Sequence, residues 1–324
     1  MVRRPVIIGS AMLVVATASW GAMFPVAQSA LTALDAFHLT LFRYGLGALI
    51  FAAILVATEG WRALRADGRL LELTLFGTLG YAGFSLFVFT GLPLTTSEHA
   101  SVIVTLMPLM TALALWVFRG QRPRPATFAA IGLAIVGVVL VVSKGHVAHL
   151  FSAGGGIGDG MVFVGAVCWM LYTFGASRFP AWSPLRYAAM TCLPGAAMIA
   201  VFALIAGRFG HASPPSLSTL VGVWPELGFI LVFCSVIAVF AWNAGVRALG
   251  ATNGVLFINL VPVTAFAIGL AQGHTFHGAE IVGSALTLSA VAVNSLWSGA
   301  PAVARGRASR APVPVAATAC PQRG

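Results

Sequence analysis

The sequence predicts an all-α polytopic membrane protein: ten transmembrane helices arranged as an inverted five-plus-five repeat around a central cavity. Three observations carry that prediction. The apolar runs are long enough to cross a bilayer, the arginines fall in alternate connectors, and the second half repeats the plan of the first.

Composition excludes most other classes. With 59% hydrophobic and only 8% charged residues, the chain lies far from a soluble domain, where about a quarter of residues are charged. A chain in lipid must satisfy its backbone internally. Helices do this, whereas a barrel needs strands of about ten residues alternating at period two, and here the runs are continuous over about 20. The net charge of +10 does not point to nucleic acid, because most of the arginines sit in short connectors where they set orientation. Cys168, Cys192 and Cys234 lie inside apolar runs and Cys320 in the tail, which fits neither a disulfide framework nor a metal site. No cofactor motif is present.

The first span, 6–28, begins like a secretory signal with Arg3-Arg4, an apolar run and Ala16-Thr17-Ala18. Its apolar character continues through Trp20 and Phe24, so it reads as an uncleaved first helix, preceded by a short cytoplasmic N-terminus, 1–5. Spans two and three, 36–57 and 70–91, flank a connector with Gly60, Arg62, Arg65 and Arg69. The fourth, 97–118, has Pro108 near its midpoint and its titratable groups, Glu98 and His99, only at its start. The fifth, 125–143, closes a first repeat, 6–143, before an external linker, 144–157. The glycines from Gly154 to Gly160 follow a membrane span rather than a strand and lack a P-loop lysine, so they read as a flexible connector. The second repeat, 158–297, holds spans at 158–178, 184–206, 225–247, 252–272 and 278–297, with Pro180, Pro184, Pro215 and Pro225 as punctuation. The Ala-, Pro- and Arg-rich tail, 298–324, reads as a disordered cytoplasmic segment.

Charge fixes the count. With both termini cytoplasmic, every arginine except Arg43 and Arg208 falls in an inner segment or at an inner span end, and the outer segments hold only Lys144 and Arg208. Adding or removing one helix scrambles this alternation. Five spans per half is an odd number, so the second half enters from the opposite face. Such inverted repeats place a substrate site near the midplane between them. Sliding the halves by 154 residues aligns Pro108 with Pro262, Leu106 with Leu260 and Gly91 with Gly245.

Short motifs in both halves then suggest a family. Trp20-Gly21-x-x-Phe24-Pro25, Phe42-Arg43-Tyr44 and Leu106-Met107-Pro108-Leu109 resemble EamA-type members of the drug/metabolite transporter superfamily. The second half adds Gly158-Asp159-Gly160, Cys168-Trp169, Leu171-Tyr172 and Asn259-Leu260-Val261-Pro262. The resemblance covers about residues 6–297. It implies ten helices, an inverted repeat and a central cavity. It also implies transport of amino acids, other metabolites or toxic compounds, mostly outward, with the substrate itself left unspecified.

Candidate functional residues follow from cost. Arg43 lies about two turns inside its span, where an arginine at the centre costs roughly 2.5–3.5 kcal/mol and so must face protein or water. It reads either as a clamp for a substrate carboxylate or as a structural partner for a carboxylate such as Glu98. Glu98 and His99 read either as a proton-coupling pair or as a helix start in which Ser97 caps and Glu98 favours the dipole. Trp20, Phe24, Tyr81, Phe84, Trp169, Tyr172 and Trp242 read as cavity lining or as packing. Asn243 and Asn259 need a partner helix or a hydrated cavity. Pro108 and Pro262 each delete a helix hydrogen bond and mark kinks or gates. His146-x-x-His149 and His274-x-x-His277 lack further ligands, so no metal site is assigned.

The sequence therefore predicts an inner-membrane secondary transporter with the lipid bilayer and a small-molecule substrate as its partners, and protons as a further one where Glu98 and His99 act as a coupling pair and not as a helix start. Export of a metabolite such as an amino acid or an aromatic or cationic compound, by alternating access, is the leading reading. Uptake through the same fold is the alternative, and a polytopic enzyme or scaffold is the rival of another class. No nucleophile–base pair at recognisable spacing supports an enzyme, and no nucleotide-binding motif supports an ATP-driven pump.

Overall fold

A computed structural model describes residues 3–94, 100, 103–104, 106–107, 110–111, 114, 116–117, 120, 122, 124–143, 145, 157–271 and 278–297. Helix α1 (Arg3–Ala30) runs unbroken through the signal-like start and buries Leu13, Ala16, Trp20, Met23 and Phe24. Helix α2 (Ala36–Glu59) starts at Asp35, whose carboxylate accepts from the His38 amide at 2.9 Å and satisfies one of the free N–H groups of the first turn. It is followed by α3 (Leu70–Leu94) and α4 (Pro125–Ser143). Helix α5 (Ile157–Arg178) leads to α6 (Pro184–Arg208), which starts with Ser183 as cap and Pro184 in its first turn. A short helix, Leu217–Gly222, precedes α7 (Trp224–Leu249). Helix α8 is built from Ala251–Val255, a tight 3-10 turn Leu256–Asn259 and Leu260–Ala271, and α9 is Gly278–Trp297.

Among the described residues, α1, α2, α3, α5, α6 and α7 are long and apolar enough to cross a membrane, and α4, α8 and α9 add further apolar helices. Ile7, Leu49 and Leu204 remain exposed on helix surfaces, the pattern of lipid-facing sides. This is an integral membrane protein. Of the predicted fourth span only scattered positions are described, Val104 and Met107 among them. Glu98, His99 and Pro108 lie outside the described residues, as do the four paired histidines and the tail.

The helices pack in reciprocal pairs: α1 against α7, α5 against α3, α2 against α6 and α4 against α9. Small residues allow the close crossings. A methyl group on Gly91 of α3 would sit 2.9 Å from the Gly158 carbonyl oxygen of α5, and one on Gly245 of α7 would sit 2.8 Å from the Gly9 carbonyl oxygen of α1. Gly91 and Gly245 are the aligned glycines of the two halves, so one sequence identity has one physical cause at both places.

Two further irregularities match. Helix α3 widens into a π turn at Thr78–Gly83 and α7 into one at Ile230–Ile237, ending 154 residues apart. Such turns are rare and concentrate at functional sites, because they displace carbonyls from the regular ladder. The α3 turn packs on α6 and the α7 turn on α2.

Candidate functional site

Helices α1, α2, α3, α5 and α8 converge on a cavity lined by Trp20, Met23, Phe24, Arg43, Phe84, Val104, Met107, Trp169, Ile258 and Val261. It measures about 20 Å³, room for about one water. Its aromatic wall is continuous. Trp20 meets Trp169 edge-on at 5.1 Å between ring centres, and Phe84 lies 5.3 Å from Trp169 on the other side. Each such contact is worth about 0.5–1.5 kcal/mol beyond its buried area. The Trp20 indole donates to the Cys234 carbonyl at 2.9 Å, which fixes the ring against the π turn of α7.

Arg43 is the charged group of this wall and is 2% exposed. Its Nε donates to Ser235 Oγ at 2.8 Å and its Nη2 to the Cys234 carbonyl at 3.2 Å. Ser235 is oriented for this, because its own hydroxyl donates to the Ile230 carbonyl at 2.8 Å. The π turn thus supplies both acceptors. The guanidinium also lies 4.6 Å from the Tyr44 ring centre and 5.7 Å from that of Phe89. Among the described residues no carboxylate pairs with it, and Nη1 has no partner. The Trp169 indole nitrogen in the same wall is likewise buried and unpartnered. A buried donor left unmade costs about 1–3 kcal/mol, more when charged.

The other predicted aromatics stand beside the cavity, in a hydrogen-bonded column. Asn243 Nδ2 donates to the Tyr172 hydroxyl at 2.8 Å, the Tyr172 and Tyr81 hydroxyls are 3.0 Å apart, and Tyr81 donates to the Ala188 carbonyl at 3.1 Å. Trp242 is fully buried and donates to Thr173 Oγ1 at 3.3 Å. Asn259 is fully buried with neither end of its amide partnered, in the 3-10 turn before Pro262. Pro262 is itself buried and cannot donate to the Ile258 carbonyl, which takes a bond from the Leu260 amide instead.

Of the residues singled out from sequence, Trp20, Phe24, Arg43, Phe84 and Trp169 line the cavity, whereas Tyr81, Tyr172, Trp242, Asn243 and Asn259 do not. The sequence reading did not select Met23, Val104, Met107, Ile258 or Val261 as lining. The offset of 154 residues pairs Val104 with Ile258 and Met107 with Val261, a signal that would have found them.

One end of the bundle carries a cluster of ion pairs and cation–ring contacts. Glu72 accepts from Arg69 at 2.9 Å and from Arg178 at 2.7 Å, and Arg186 pairs with Asp67 at 2.8 Å while donating to the Ala63 and Arg65 carbonyls. Arg69 lies 3.8 Å from the Phe179 ring centre and Arg186 4.0 Å from that of Trp182. Arg247 donates to the Trp182 and Pro180 carbonyls. At the other end, Ser29 donates to Glu226 at 3.1 Å and the Ser213 amide to Asp35 at 3.2 Å.

A lipid-embedded helical bundle with a small, largely apolar cavity between its two halves has the build of a membrane transporter. The comparisons with known proteins make the class specific: the EamA-like transporter family matches twice, over residues 7–143 and 156–296, and the chain belongs to that family. The chain is 31% identical over 301 residues to the uncharacterized transporter YrdR of Bacillus subtilis, covering 92% of this chain and 94% of that protein. It is 27% identical over 243 residues to the aromatic amino acid exporter YddG of Ancylobacter novellus, covering 72% and 75%. A solved crystal structure superposes with a TM-score of 0.72 at 22% identity, over 92% of this chain and 99% of that one, a likeness of fold.

Proposed function

We propose that the protein is an inner-membrane secondary transporter that exports a small metabolite by alternating access. The observation that carries this reading is the small central cavity walled by residues of both halves, with ion pairs joining the halves at one end of the bundle. The export direction draws support from the likeness to YddG, itself an exporter of aromatic amino acids.

The architecture in this proposal is ten helices in an inverted five-plus-five repeat, with both termini cytoplasmic. The doubled family match, the reciprocal packing of α1 on α7 and α5 on α3, and the matching π turns support it. Pro108 and Pro262 act as paired kinks that let the fourth and ninth spans bend as one side opens. Glu98 and His99 couple the cycle to protons at the outer face. The arginine-rich end is the cytoplasmic one, in line with the positive-inside bias.

The test is transport by the purified full chain in proteoliposomes, against a panel of amino acids, aromatic acids and amines, with and without a pH gradient. Flux of at least one compound above that of empty vesicles is expected, and an inside-acid or inside-alkaline gradient changes its rate. Absence of flux for the whole panel, with protein shown to be folded and inserted, refutes the reading.

A further inference from the structure

We propose that the central cavity is an anion site, taking a small organic monocarboxylate with an apolar or aromatic body. Its head would accept from Arg43 Nη1 and Trp169 Nε1. The inference rests on the transporter reading only for the ligand's role as cargo, since the site itself is defined by local chemistry.

Two independent orphans point the same way. Arg43 carries a full charge at 2% exposure with no carboxylate partner among the described residues, and its Nη1 is unpartnered. Its other two nitrogens are already held by Ser235 and the Cys234 carbonyl, so the guanidinium cannot swing away to water without breaking both bonds. Trp169, 2% exposed on a different helix, lines the same cavity with its indole N–H unpartnered. Both orphans are donors, so what completes them is an acceptor. The positive charge makes an anionic acceptor the better one.

The remaining wall sets the body of the ligand. Trp20, Phe24, Phe84 and Met23 offer aromatic and thioether surface, and among the described residues the lining includes no acid that would hold an ammonium. An organic cation would place like charge beside Arg43 in a low-dielectric site. The cavity takes about one water, so the ligand enters by spreading the wall, for which the flexible side chains of Met23 and Met107 are suited.

Three probes share one body and differ in charge: 3-phenylpropionate, 3-phenylpropionamide and phenethylamine. The expected result is that millimolar 3-phenylpropionate raises the unfolding temperature of the purified full chain, while the amide and the amine do not. Trp169→Phe keeps an aromatic ring but removes the indole N–H along with part of the ring, so it weakens 3-phenylpropionate binding about tenfold and lowers the unliganded unfolding temperature by the packing lost. Arg43→Lys keeps the charge but not the geometry and also weakens it. Equal stabilisation by the amide or the amine, or unchanged affinity in Trp169→Phe, overturns the anion site. The flux assay separates this from the parent reading. Amine flux without carboxylate binding refutes the anion site and leaves the transporter standing, whereas carboxylate binding without flux of any compound refutes the transporter and leaves the site standing.

Discussion

Arg186 and Arg43 sit on adjoining helices and live in opposite circumstances. Arg186, at the end of the bundle where the connectors meet, has Asp67, two carbonyls and the Trp182 ring around it. Arg43, two turns inside α2, has one hydroxyl and one carbonyl, no acid among the described residues, and one nitrogen left over. The first set lies near water, where each exposed ion pair contributes only about 0.2–1 kcal/mol. Several must act together before they hold two halves shut, and here Glu72 serves Arg69 and Arg178 at once. The second lies away from water, where one missing partner matters more than several surface pairs. A latch that must open is built from weak, replaceable contacts. On the anion-site proposal, a buried charge with no carboxylate among the described residues is there to meet the arriving ligand.

The largest effect is expected at the buried position. Arg43→Met removes the charge at similar length, and flux should fall about a hundredfold, the worth of one strong charge-assisted hydrogen bond. The unfolding temperature should hold, because an unpaired buried charge leaves with the two bonds it made. Loss of the folded protein in Arg43→Met would break the comparison and make Arg43 a structural tie. Next comes the latch. Glu72→Gln removes the carboxylate that joins Arg178 to this end of α3 and should weaken closure measurably. A cysteine introduced beside the cavity should then label faster from the arginine-rich side. Raising salt should mimic the change in the unsubstituted protein and add little to Glu72→Gln. The smallest effect belongs to Asp67→Asn, which leaves Arg186 its carbonyls and ring. A loss of about 0.2–1 kcal/mol in the unfolding midpoint is expected, with flux nearly intact. An effect of Asp67→Asn as large as that of Glu72→Gln would mean that the latch is not centred on Glu72.

The organisation of the chain was largely legible because its signals are compositional. Apolar runs of membrane length, punctuated by Gly60, Pro180 and Pro184, mark the helices whatever they pack against. Arg43 stands out by the same logic, since a charge inside an apolar run is costly in any fold. Facing is another matter. In helices that are apolar all round, periodicity does not separate a lipid side from a cavity side. That is why Trp20 and Trp169 could not be told from Tyr172 and Trp242, and why Met23, Met107, Ile258 and Val261 carried no mark of their own.

What the sequence determined by itself, then, is the integral membrane class, the order of the helices and the one charge that needs explaining. The tertiary structure decided which aromatics enclose space and which fill it. It also decided that Arg43 is held by Ser235 and Cys234, 192 and 191 residues away, rather than by a carboxylate among the described residues. The physical reason is that burial in lipid constrains each helix separately and leaves its mark in local composition. A cavity and its unpaired donors exist only where several helices meet, and their rotation about their own axes is fixed by packing.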